Sequence, residues 1–161
     1  MLLTNHVVSG ALIGALARRP RSAFAAGVAS HFVLDAVPHW GDWGSRRRFL
    51  RVAVADGLVS LAVAGAFAAA SPSERRPAVL AGMAGAALPD LDKPARLWFG
   101  GSPFPAAVDR FHSRIQREAW HRGYVEVLAA AGLTPAALAA LRPPKQVAGT
   151  AGRPGRPGRR G

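Results

Sequence analysis

The chain has no cysteine. That excludes a disulfide framework and thiolate ligands, and it leaves histidine, aspartate and glutamate as the strong metal donors. Aromatic residues are also scarce, at 7% of 161, so rings cannot fill the interior. Alanine and glycine must bring backbones close together instead, which suits helices packed through small faces rather than a sheet. Acids are few as well: nine Asp and Glu stand against 21 Lys and Arg, for a net charge of +12. No basic region precedes the first apolar run, which is followed by Arg18 and Arg19, so a secretory signal is not expected.

What the chain does contain is apolar sequence, 50% of its residues, enough for one domain. Its basic residues lie between apolar runs and in the last twenty positions, not along one helix face. Arginine so placed anchors apolar segments to anionic headgroups more readily than it reads a nucleic acid. Membrane lipid is therefore the expected partner, at the cell membrane with several passes, and no specific nucleic acid is expected. The competing reading is a soluble basic helical protein that binds nucleic acid through its Arg-rich loops and tail, recovered without detergent and released steeply by salt.

Five apolar runs read as helices: Asn5 to Ala17, Ser22 to Val37, Phe49 to Ala70, Pro77 to Leu88 and Gly123 to Leu141. Between them stand RRPR, GDWGSRRR, SPSERRP and GGSPFP, which punctuate helices through Pro, Gly and charge. Phe49 to Ala70 is the best spanning candidate, since about 20 apolar residues at a rise of about 1.5 Å match a bilayer core. The shorter runs also suit re-entrant or buried helices, and arginine in three successive loops sets no orientation. The fifth run is expected to break at Thr134-Pro135, with Thr134 capping a new helix.

The expected fold is all-α, a small membrane bundle of about four to six helices built from a duplicated hairpin and a third part. The hairpins cover about 5–40 and 51–92, the third part about 104–142, and 143–161, rich in Pro, Gly and Arg, reads as a disordered basic tail. The duplication is visible in Arg21 to Trp40 against Arg76 to Trp98, which aligns Gly27 with Gly82 and Asp35 with Asp90. In the preceding helices His6 parallels Asp56, one ionisable residue near each start.

The chemistry concentrates in Ser30-His31-Phe32-Val33-Leu34-Asp35-Ala36-Val37-Pro38-His39-Trp40. His31 and Asp35 share a helix face at a spacing of four, so the carboxylate can orient the imidazole or join it on one cation. Pro38 ends the helix, from which His39 can fold back. Asp90 and Asp92 follow the fourth run, and His112 and Gln116 share a helical spacing that can face the interior of His6, Asp35 and Asp56. Burying such groups unpaired costs several kcal/mol. A structural role competes throughout: His6 and His39 as helix-flanking or interfacial residues, Asp35 and Asp56 in plain salt bridges, and Asp90 and Asp92 in a solvated turn.

Thr4-Asn5-His6, SHFVLDAVPHW, GAALPDLD and RFHSRIQ together resemble a group of small bacterial membrane proteins similar to the membrane-bound metal-dependent hydrolase family, the LexA-binding inner-membrane hydrolases. The likeness covers roughly the first 117 residues. It implies a helical membrane fold and a metal site at His6, His31, Asp35, Asp90 and His112. The family's His-Arg-Gly-x-Thr-His-Ser string is absent, since His121-Arg122-Gly123 is followed by Tyr124, Val125 and Glu126. Two functions are expected from these residues. One is a membrane protein whose His/Asp cluster organises the bundle and binds a divalent cation. The other is a zinc- or manganese-dependent phosphoester hydrolase, with metal ligands drawn from His6, His31, Asp35, His39 and Asp90 and with Asp92 or His112 as base.

Overall fold

A computed structural model describes residues 1–41 and 44–142. The expected disordered tail lies outside the described residues. The order is α1 (Leu3–Ala17), α2 (Pro20–Ala36), a two-residue strand β1 (His39–Trp40), α3 (Arg46–Ala70), α4 (Arg76–Ala87), a 3-10 turn (Leu88–Leu91), α5 (Asp92–Phe99), α6 (Ala106–Ile115), β2 (Glu118–Ala119) and α7 (Gly123–Leu141). The all-helical bundle expected from composition is what forms.

Local chemistry sets the boundaries. Helices α2 and α4 open on Pro20 and Pro77, whose missing N–H groups cost nothing in a first turn. Arg18 takes a left-handed conformation, φ 58°, to end α1, and Ser45 caps α3 by accepting the amide of Arg48 at 3.2 Å. Gly100, φ 75°, ends α5.

One boundary departs from expectation: α7 runs unbroken through Thr134 and Pro135. A proline inside a helix removes a hydrogen bond and crowds the preceding turn. Here that turn is Ala131-Gly132, with little side chain to displace. Leu133, Ala137 and Leu141 pack into the core on both sides of the proline, and that burial holds the two halves in line.

Helix α1 is the axis of the bundle, buried from Asn5 to Ala15 on most of its faces and bordered by α2, α3, α4 and α7. Its Val7, Val8, Ala11 and Ala15 meet Phe67, Val79, Met83, Ala137 and Leu141. Glycine makes the closest approaches: a Cβ added to Gly82 would overlap the Gly10 carbonyl oxygen, one on Gly27 the Gly82 carbonyl oxygen, and one on Gly85 the Phe24 carbonyl oxygen. Backbone-to-backbone contact through small residues is the packing mode the composition anticipated. It also brings together Gly27 and Gly82, the two glycines aligned by the sequence pattern.

Beside this apolar core the bundle buries a set of polar side chains. Asn5, His6, Ser9, His31, Asp35, His39, Ser60, His112 and Glu126 are buried. Meanwhile α3 turns Val54 (59% exposed), Leu58 (65%) and Leu61 (72%) outward, and α7 exposes Tyr124, Val127 and Leu128. Both helices are long and apolar enough to cross a membrane by length and composition.

Candidate metal centre

The site assembles around Asp35, fully buried near the end of α2. One helical turn earlier on the same face, His31 places Nε2 3.2 Å from Asp35 Oδ2. The other ring nitrogen, Nδ1, lies 2.7 Å from the Ala86 carbonyl oxygen at the end of α4. A carbonyl only accepts, so Nδ1 carries a proton, and in the neutral ring Nε2 is left with its lone pair. Metal-binding imidazoles are held in place in this way.

Helix α6 supplies His112, whose Nε2 is 2.9 Å from Asp35 Oδ2 and 3.0 Å from His31 Nε2. Gln116, just past that helix, donates its amide to Asp35 Oδ2 at 3.2 Å. The 3-10 turn supplies Asp90, with Oδ1 3.7 Å from His31 Nε2 and 3.8 Å from His112 Nε2. On the other side of Asp35, Oδ1 meets His6 Nε2 at 3.1 Å and the Met1 amino nitrogen at 2.7 Å. The His6 ring stacks on His31 with centroids 4.0 Å apart.

His31, Asp35, Asp90 and His112 each offer one donor atom, and these atoms all lie within 4.8 Å of one another. Tetrahedral ligands about 2.0–2.1 Å from zinc stand about 3.3 Å apart, by the geometry of the tetrahedron. The separations of 2.9, 3.0 and 3.2 Å among His112, His31 and Asp35 are close to that spacing. Lone pairs brought this close are compatible with either a shared proton or a bound cation among them.

Asp90 also pairs with Lys93. Burial opposes both charges. The Lys93 ammonium nevertheless holds the Asp90 carboxyl below its ordinary range, and Asp90, with Asp92, raises Lys93 above its own.

The expected site residues are thus divided. His31, Asp35 and Asp90 converge, and with them His112, expected as a base from its residues and as a metal-site residue from the family resemblance. His6 touches Asp35 and His31 but is outside the group of four, so it is placed to position them. His39 lies elsewhere. After Pro38 the chain runs extended into β1, which pairs in parallel with β2, His39 opposite Glu118. Its Nδ1 is then 2.7 Å from the Val37 carbonyl oxygen and its Nε2 3.9 Å from Glu118 Oε1. Asp92 faces Lys93 and Arg96, at 4.0 and 3.9 Å, and its buried Oδ1 has no hydrogen-bond partner.

Two further acids serve the start of α1, which has no side-chain cap of its own. Asp56 on α3 accepts the amides of Leu3 at 2.6 Å and Thr4 at 3.3 Å, and Glu126 on α7 accepts those of Leu2 at 3.1 Å and Trp40 at 3.2 Å and the Asn5 side chain at 2.7 Å. Unpaired amides at a helix start favour carboxylates, so Asp56 ties α3 to α1 and Glu126 ties α7 to it. Sequence reasoning passed over Glu126, although a lone acid in an apolar helix, the signal that marked Asp56, marks it equally.

Comparison with protein-family models, with curated proteins and with solved structures finds no match to this chain. Fold and site define its class: an all-α bundle with, among the described residues, a buried His/Asp group able to hold a metal ion and two helices able to cross a membrane by length and composition.

Proposed function

We propose that the chain is an integral membrane protein whose bundle interior binds a divalent cation through His31, Asp35, Asp90 and His112. The observation that carries this reading is the convergence of two imidazole nitrogens and two carboxylates, brought from α2, the 3-10 turn and α6, on one small volume. Two nitrogen and two oxygen donors suit zinc first and manganese second. The outward apolar faces of α3 and α7 support membrane embedding: a large exposed apolar surface is costly in water, and polar side chains in lipid must turn to one another. The reading concerns binding; hydrolysis of a phosphoester is an implication of the family resemblance and adds no residue to it.

Fractionation of expressing cells, followed by elemental analysis of the purified protein, tests both halves. The expected result is recovery in the membrane fraction, release only by detergent, and about one equivalent of zinc or manganese that is lost from the His31→Ala/Asp35→Ala double variant. Recovery in buffer without detergent, with binding to nucleic acid that falls steeply with salt, would contradict the membrane half. A metal-free wild type, unchanged when the metal is supplied, would contradict the other.

A further inference from the structure

Between α3 and the segment that carries Asp90 runs a groove of about 540 Å³, within the range of roughly 300–1,000 Å³ typical of small-molecule sites. Its walls are largely apolar, with Phe49, Ala53 and Leu61 on α3 facing Leu91, Leu97 and Trp98. Three polar groups on its lining connect it to the metal centre: Asp90, a member of the donor group, Lys93, paired with Asp90, and Met1, whose amino group touches Asp35. Of the other acids that face it, Asp56 is engaged by the amides of Leu3 and Thr4. Of the four donors only Asp90 is partly exposed, its side chain at 15% against 5% or less for the rest. The groove therefore borders the one donor that is partly exposed.

We propose that this groove binds a phospholipid, its acyl chain along α3 and α5 and its phosphate at Lys93 beside the metal centre. The proposal rests on the reading of the chain as a membrane protein with a cation at Asp90. Three observations choose this occupant. Val54, Leu58 and Leu61 line the groove and are also exposed on the outer face of α3, so the groove is continuous with the surface that meets the bilayer, and an acyl chain enters it sideways without crossing water. The apolar lining offers hydrogen bonds to few groups of a water-soluble ligand, which disfavours a sugar or nucleotide. Lys93, a third exposed, carries three N–H donors on a compact charge, a phosphate binder of the point-charge kind.

Gly57 provides a clean test. It lines the groove, and a Cβ added there meets nothing within 4 Å, so Gly57→Phe fills the groove without disturbing the packing or the donors. The full chain, held in an amphipol so that no detergent tail competes, is titrated calorimetrically with dihexanoylphosphatidic acid, and bound metal is measured on the same samples. The expected result is saturable one-to-one binding in the wild type, weakened about tenfold or more in Gly57→Phe with its metal content unchanged. Dihexanoylglycerol, which lacks the phosphate, and inorganic phosphate, which lacks the chains, each bind about tenfold more weakly or worse. Lys93→Gln removes the preference for the phosphatidic acid over the glycerol. Equal affinity in Gly57→Phe, or no saturable binding in a wild type that holds its metal, overturns the groove and leaves the cation site standing. Lipid binding lost in Gly57→Phe by a protein that carries no metal does the reverse. Tight binding of inorganic phosphate alone assigns Lys93 to a free anion and overturns the lipid.

Discussion

Replacing Asp35 with asparagine is expected to strip the metal and loosen the bundle together. The carboxylate of Asp35 is approached by five groups: the Met1 amine and His6 at Oδ1, and His31, His112 and Gln116 at Oδ2. An asparagine of the same shape removes the charge, and its N–H group meets a donor at either end, the Met1 amine at Oδ1 or the Gln116 amide at Oδ2. Substituting a residue that merely supports a metal ligand costs about 10–100-fold in affinity, so loss of a ligand is expected to cost about 100-fold or more. Removing one partner of a buried ion pair costs about 3–5 kcal/mol, which lowers the midpoint of thermal unfolding by roughly 10 °C for a domain of this size. Metal retained through dialysis and the midpoint in detergent are the two readouts. A variant that kept its metal and melted with the wild type would show that Asp35 is neither a ligand nor a keystone of the network.

Gly82→Leu is expected to do more damage, and by a different route. Gly82 faces the Gly10 carbonyl oxygen, with Gly14 N 3.1 Å from where a Cβ would stand, and its own carbonyl receives Gly27. A leucine there would drive α1, α2 and α4 apart at the point where the three meet. Overpacking usually costs about 1–3 kcal/mol because side chains yield. Here the obstacle is backbone, so a loss on the order of 4 kcal/mol or more is expected, and the variant should fail to elute as a single species in size exclusion. Gly65→Leu is the matched control. It lies on α3 with nothing within 4 Å of an added Cβ, and it should elute as the wild type does. Similar profiles for the two variants would contradict the close packing described above.

Much of the bundle was legible because its signals are local. The first four apolar runs fall on α1 to α4 to within about three residues, since proline, glycine and arginine punctuate them where the chain turns. The sharing of one face by His31 and Asp35 follows from helical spacing alone. What escaped depends on contacts distant in sequence. The family resemblance names His112 as a ligand, but spacing alone does not bring it to Asp35, 77 positions away: α6 must fold against α2. His39 leaves the site because two residues of strand pair it with Glu118, which no pattern in SHFVLDAVPHW announces. Pro135 reads as a helix break, and only the packing of α7 on α1 overrides it. The aligned positions lie close in space: Gly27 meets Gly82, and Asp35 and Asp90 belong to one donor group.

These energetics share one origin. Three acids and His31 are satisfied across helices: Asp56 and Glu126 by the start of α1, His31 by the end of α4, and Asp35 by α1 and α6. Polar contacts therefore set how the helices are arranged, and small residues allow them to close. The donor group sits where these links converge, which couples the stability of the fold to the geometry of the site.

X-ray absorption at the zinc edge of the detergent-purified protein tests the central claim most directly. The account predicts a four-coordinate shell of nitrogen and oxygen at about 2.0–2.1 Å with the outer scattering of two imidazoles, and loss of that imidazole signature when both His31 and His112 are replaced by alanine. A shell of oxygen alone without imidazole, or a spectrum unchanged in the double variant, would contradict it.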